Sequence, residues 1–183
     1  MVLKKVAERN TISTKPRHLI NAFFVTQSRL KVFDTWRRLA IILDYEFGRG
    51  VSKALPKKGL ELVYSRRSER IRQIMLRDEL FATIRPNGAV ALTVFGAGVL
   101  AANKAFLENS VVVEDEAVPF VKNGKSTFCK FVVSAGKHVL PGGEVVILDR
   151  KGNTIGVGRA KIHGKFMREF RSGIAVKVRT SIA

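Results

Sequence analysis

The apolar positions change their period along the chain. Between Pro16 and Phe47 they recur at steps of three and four: Leu19 and Phe23 with Ile20 and Phe24 beside them, then Leu30, Phe33, Trp36, Leu39, Ala40, Ile42 and Leu43. That is the spacing of an amphipathic helix, and Gly48 and Gly50 stop it, so residues 16–47 read as two helices or one broken helix. Residues 1–15 are polar and mixed and read as a flexible arm. Gly48 to Gly59 holds three glycines, one proline and four basic residues, a linker composition that closes an N-terminal helical segment spanning 16–58.

Beyond Gly59 short runs of β-formers take over. Leu60–Tyr64, Ile71–Ile74, Leu80–Ile84 and Ala89–Thr93 read as four strands, with a turn at Pro86-Asn87-Gly88, where Asn and Gly tolerate positive φ. Gly96 to Leu107 reads as a helix, which completes a small α+β domain over 59–109. A third block, 110–183, opens with a strand at Val111–Val113. A short helix follows from Glu116 to Lys122, capped by Asp115 and ended by Asn123-Gly124. Four more strands are expected at Phe128–Val133, Glu144–Leu148, Thr154–Ala160 and Ile174–Val178, with a short helix from Lys165 to Phe170. Strands with one short helix between the first two predict a pseudo-barrel. The fold class is therefore α+β, and no fixed-period repeat is visible.

Composition adds a partner to this picture. Hydrophobic residues make up 46% of the 183, enough for a packed core, while 33 Lys and Arg against 15 Asp and Glu give a net charge of +18. Such an excess fits a polyanion, because each phosphate neutralised by Lys or Arg releases counterions; the plain alternative is a solvated surface. The charge is uneven: 13 basic against 4 acidic residues over 1–58, 7 against 5 over 59–109 and 13 against 6 over 110–183. The single cysteine, Cys129, fits a reducing compartment. With His18, His138 and His163 scattered along the chain, it makes no metal-binding spacing, so neither metal nor cofactor is expected. No apolar run reaches the roughly 18 residues that span a bilayer, and no signal-peptide pattern opens the chain. No membrane association is expected, and a cytoplasmic location is.

The third block resembles a PUA domain, the RNA-binding module of pseudouridine synthases and archaeosine transglycosylases. The resemblance sits in Lys122-Asn123-Gly124, Phe128-Cys129-Lys130-Phe131-Val132, Pro141-Gly142-Gly143-Glu144-Val145, Val157-Gly158-Arg159-Ala160 and Phe170 to Arg179. Further upstream, Asp44-Tyr45-Glu46-Phe47-Gly48-Arg49-Gly50 is similar to the end of the helical subdomain that follows the catalytic barrel in archaeal tRNA-guanine transglycosylases. Val63 to Arg72 and Leu80 to Leu100 are similar to their next small domain. Archaeosine synthases carry a related tail, and the motifs do not separate the two. Residues 1–38 match nothing, and the chain departs from the family at Gly143 and Asn87-Gly88, where acidic residues are usual.

The resemblance implies a parent enzyme that exchanges a guanine of the tRNA D-loop for a deazaguanine. Its catalytic aspartates and zinc site belong to an N-terminal α/β barrel with no counterpart in this sequence, and no Asp or Glu pair here stands out as a nucleophile and acid. The expected function is a non-catalytic tRNA-binding protein or subunit that docks tRNA for archaeosine-type modification by a separate catalytic chain, a transglycosylase or an archaeosine synthase. The alternatives are a general RNA-binding factor in ribosome assembly or translation, and an enzyme in its own right.

By resemblance, RNA would lie between the short helix and the second strand of the last block. Lys122, Gly124, Lys125 and Lys130 flank that region. Arg159 with Lys161, and Lys177 with Arg179, are two apart on strands and share faces. A second candidate cluster is Arg66, Arg67, Arg70 and Arg72, suited to phosphate contact. For each residue alone the competing reading is a solvated charge. Phe23, Phe24, Phe33 and Trp36 are candidates for gripping a partner chain, against a plain core role for the same stripe.

Overall fold

The computed structural model describes residues 34–68 and 70–182. The arm at 1–15 and the residues Phe23, Phe24 and Phe33 lie outside that range. Helix α1 occupies 34–47 and buries Leu39, Leu43 and Phe47, one stripe at four-residue steps. It lies on a four-stranded antiparallel sheet of β1 (Leu60–Tyr64), β2 (Ile71–Leu76), β3 (Glu79–Ile84) and β4 (Val90–Leu92), in that order. The stripe packs with Ile74, Leu76 and Phe81 in one core, and Trp36 packs at its edge, its indole N–H donating to the Leu55 carbonyl at 3.4 Å.

The segment from Gly48 to Gly59 differs from a free linker. It forms a 3-10 turn over Val51–Ala54 with Val51 and Leu55 buried. Three side chains fasten it. Asp44 accepts from the Ser52 amide at 2.7 Å and the Ser52 hydroxyl at 3.1 Å. Asn103 donates to the Gly50 carbonyl at 2.9 Å, and Asn109 donates to the Phe47 carbonyl at 2.6 Å. Its glycines and lysines are the composition of a tight turn with a solvated rim.

After β4 the chain forms two short helices, α2 (Val94–Ala101) and α3 (Lys104–Leu107), instead of one continuous helix. Thr93 caps α2, accepting from the Gly96 amide at 3.0 Å, and Asn103 caps α3 in the same way at Ala105, 2.9 Å away. The second cap is the break: Asn favours this position over a helix interior because its side chain competes for backbone amides. Gly96 lets α2 lie against β3, since a Cβ there would sit 2.1 Å from the Phe81 carbonyl oxygen.

The remaining strands are β5 (Ser110–Val113), β6 (Thr127–Phe128), β7 (Val132–Ala135), β8 (Glu144–Leu148), β9 (Thr154–Ala160) and β10 (Ile174–Ser181). They form a second sheet in the order β6-β10-β9-β8-β5-β7, parallel only between β5 and β8. It curls into the expected pseudo-barrel around Val111, Val121, Val145, Ile147, Ile155, Met167 and Val176. The strand expected over Phe128–Val133 is broken by a 3-10 turn at Cys129–Phe131, which buries Cys129 and divides the residues between β6 and β7. Asp115 does not cap the short helix. It begins a 3-10 turn, Asp115–Ala117, that leads into α4 (Val118–Lys122), and the cap position, Ala117, has no side-chain bond to give. Gly124, at φ +71°, follows the helix end as expected. The last short helix, α5, is Gly164–Met167, which starts one residue before and ends three residues before the expected Lys165–Phe170, and is capped by His163.

β8 is buried along its whole length because each face has a different core. Val145 and Ile147 point into the barrel, while Val146 and Leu148, with Val157 of β9, join the core of α1 and the first sheet. Burying a Val or Leu side chain fully is worth about 1.5–3 kcal/mol, so this shared apolar seam helps to hold the two halves together.

Candidate nucleic-acid interface

Two grooves and one polar junction carry the candidate residues. The first groove, of about 520 Å³, runs between α4, the β6 region and the Arg171-Ser172-Gly173 turn before β10. The 3-10 turn that interrupts the expected strand shapes its wall, aiming Lys130 and Phe131 into it. The Lys125 ammonium lies 5.7 Å from the Phe120 ring centre and the Lys130 ammonium 4.6 Å from that of Phe131. Phe120 and Phe128 remain 48% and 46% exposed. Aromatic faces beside cations, with an open floor, suit an unstacked base and its phosphate. The buried Thr127 hydroxyl in the wall has no hydrogen-bond partner among the described residues.

Of the sequence candidates this groove gathers Lys125 and Lys130. Lys122 and Gly124 stand exposed at the end of α4 without lining it. Phe120, Phe128 and Arg171 line it and were not singled out from the sequence. Phe128 falls within the strand expected over Phe128–Val133, and the sequence alone does not say which face of that strand is left uncovered.

The polar junction lies where the halves meet. Glu144 of β8 has a side chain only 3% exposed. Its carboxylate accepts from the Leu92 amide at 3.2 Å, is bonded by the Arg179 guanidinium and lies 3.7 Å from that of Arg85. Arg179 also donates to the Leu92 carbonyl. Burial pushes the Glu144 carboxyl above its ordinary value, against the charge and hydrogen bond of Arg179 and the Leu92 amide, and with the Glu46 charge adding to the rise. The structure therefore places Arg179 in the junction between the halves. In the strand register Glu144 pairs with Arg159, and Arg159 with Lys177, so these two exposed cations continue the same row across β9 and β10. Lys161 is exposed just beyond β9.

The second groove, of about 990 Å³, lies between α1 and the β1–β2 end of the first sheet, and Arg70 and Arg72 line it. Arg66 and Arg67 occupy the exposed hairpin turn, which Ser65 and Arg70 close by a 2.9 Å backbone bond. Among the described residues no group of three or more His, Cys, Asp or Glu is placed to hold a metal ion, and no helix is long and apolar enough to cross a membrane.

Comparison with known proteins agrees with this division of the molecule. Residues 37–105 match the patch-forming domain C2 of tRNA-guanine transglycosylase, and residues 109–182 match the PUA domain. The chain is 34% identical over 142 residues to the tRNA-guanine(15) transglycosylase of Thermococcus onnurineus, an alignment that takes in 77% of this chain and 24% of the relative. The chain thus spans about a quarter of the length of the curated relatives it matches. Among solved structures, a hypothetical protein from Pyrococcus horikoshii superposes with a TM-score of 0.64 at 25% identity, covering 81% of this chain and 90% of its own. A PUA domain protein from Aeropyrum pernix gives a TM-score of 0.59 at 19% identity, with 80% and 81% covered, a likeness of fold. The chain carries a transglycosylase-type C2 domain over 37–105 followed by a PUA domain over 109–182, and is homologous to the C-terminal region of the archaeal tRNA-guanine(15) transglycosylases.

Proposed function

We propose that this chain binds tRNA and docks it for archaeosine-type base exchange carried out by a catalytic centre on a separate chain. The observation that carries the reading is the pairing of a C2 domain with a PUA domain in the order and homology of the tRNA-guanine(15) transglycosylases. The net charge of +18 and the aromatic, cation-lined groove at α4 support an RNA ligand. Modules of this kind hold unpaired ends and loops, whose bases can stack on protein aromatics and whose phosphates meet Lys and Arg. Lys125, Lys130 and Arg171 are the cations of that site, with Lys122 and Gly124 at its approach. Arg159, Lys161 and Lys177 extend the basic surface over the barrel, and Arg66 and Arg67 extend it over the first sheet.

Filter binding of a tRNA transcript at several salt concentrations tests the RNA part. Binding should weaken steeply as salt rises, with log K falling by about 0.7–0.9 per tenfold rise in salt for each phosphate contacted. Binding that ignores salt, or no binding, sinks the reading. Affinity purification from cells then tests the docking part. Recovery of tRNA together with a transglycosylase or archaeosine synthase chain supports it, whereas recovery of ribosomal RNA and ribosomal proteins alone replaces it with a general RNA-binding factor.

A further inference from the structure

The second groove has features that the first does not explain. β1, β2 and β3 use one sheet face for the core, through Leu62, Ile74 and Ala82, and present Tyr64, Arg72 and Ile84 toward their far ends. A bulge sets both Ile71 and Arg72 against Tyr64. Bulges of this kind bend a strand and re-aim its side chains, and here Tyr64, Ile71 and Arg72 all line the groove. Arg38 enters from α1 and Arg85 from the end of β3, so four guanidinium groups surround one concavity.

No acidic residue lines the groove among the described residues. Arg38 and Arg85 are braced from outside it, by Asp34 at 2.9 Å and Glu144 at 3.7 Å. Among the described residues no carboxylate pairs with Arg70 or Arg72. A concave wall carrying four arginines focuses positive potential on an anion, and guanidinium forks match phosphate oxygens. Tyr64 stays 45% exposed beside them, a large ring held half in water at the groove wall. Ring and forks together fit a nucleotide whose base is unstacked; a duplex, with its bases stacked inside, would leave the ring unused.

We propose that the groove between α1 and the β1–β2 hairpin is a second nucleotide site, taking an unpaired, looped segment of the bound RNA with its phosphate between Arg70 and Arg72 and its base on Tyr64. This rests on the RNA-binding reading above and adds a site to it. Arg85 ties the site to the barrel, because the carboxylate that braces it belongs to β8. The two grooves are thereby linked through one ion pair, Arg85 with Glu144, and engage two parts of the same RNA.

The test uses the full chain, a tRNA transcript and a blunt RNA duplex. Tyr64→Ala should weaken tRNA binding about tenfold, as expected for one stacked base, and Tyr64→Phe should restore it. Arg70→Ala with Arg72→Ala should weaken tRNA binding and lower the slope of log K against log salt by about 0.7 per lost phosphate contact. Duplex binding should be unchanged by Tyr64→Ala, and ultraviolet crosslinking of the wild-type complex should map an unpaired nucleotide to Tyr64. Matching far-ultraviolet spectra and melting temperatures establish that the variants are folded. If wild-type protein binds tRNA and only substitutions at Lys125 or Phe128 weaken it, the second site is wrong and the RNA-binding reading stands. If wild-type protein binds no tRNA, both fall.

Discussion

Glu144 and Arg179 stand two strands apart, with β9 between them, yet their side chains meet over a single residue of the other sheet, Leu92. Leu92 belongs to β4, the edge strand of the first sheet. An edge strand has backbone groups without a neighbouring strand to pair with, and buried ones must find partners. The carboxylate takes the Leu92 N–H and the guanidinium takes its C=O, so the ion pair does for this edge what a fifth strand would do.

Glu144→Ala should therefore destabilise the protein by about 1–3 kcal/mol, the cost of leaving the buried Leu92 amide unmet. Glu144→Gln keeps an oxygen for the Leu92 amide and should cost less. Urea unfolding of both variants checks the order; an Ala variant as stable as the Gln variant contradicts this account.

The pH dependence of the same site has a definite sign. The Glu144 carboxyl titrates above its ordinary value in the folded protein because of burial, despite Arg179. Its contribution to stability is then fully present below the ordinary glutamate range and is lost as pH rises through the folded-state value. The Gln variant has no such loss. Its stability relative to wild type should rise from acid toward neutral pH, as followed by melting temperature across that range. A relative stability that stays flat would show no shift, and one that falls toward neutral pH would show the opposite shift; either contradicts this account.

Much of this fold was legible in the sequence. The four-residue stripe of Leu39 and Leu43, the Pro86-Asn87-Gly88 turn and the Asn123-Gly124 helix stop all act locally, and the structure has each where the pattern put it. What was hidden depends on contacts distant in sequence. Glu144 meets residues 52 and 35 positions away, and nothing in a run of β-formers marks it as the one charged residue of a fully buried strand. Asp44, which looked like surface charge, fastens Ser52 and turns an apparent linker into packed chain. Of the first groove, Lys125 and Lys130 were visible as cations, while Phe120 and Phe128 were not singled out because sequence does not reveal which aromatic is left uncovered.

Phe128 and Lys130 make separable predictions. Phe128→Ala should reduce tRNA affinity by about 1–3 kcal/mol if a base stacks there, with little change in salt dependence. Lys130→Ala should reduce affinity and lower the salt slope by about 0.7. Filter binding over a salt series distinguishes the two effects, and identical slopes for all three proteins would remove Lys130 from the phosphate contacts.

Gly96 sets the distance between α2 and β3. A methyl group there would stand 2.1 Å from the Phe81 carbonyl oxygen, which is backbone and has little room to yield. Gly96→Ala should cost about 1–3 kcal/mol or more, as overpacking does, even though alanine is the better helix former. Gly98, on the same helix, has open space where its Cβ would be, and Gly98→Ala should stabilise by about 0.4–1 kcal/mol. Thermal melts of the pair give opposite signs if the close approach is the cause.

The strand buried on both sides, β8, makes the boundary between the C2 and PUA domains one of sequence and not of folding. Cut at residue 108, the barrel would expose Val146, Leu148 and Val157 to water, and the first sheet would lose both the cover over its core and the partners of its edge. Neither piece is a finished surface. The two domains should melt together in one transition, and a gene that carries the PUA domain by itself should need to redesign the outer face of β8 before the product stays soluble.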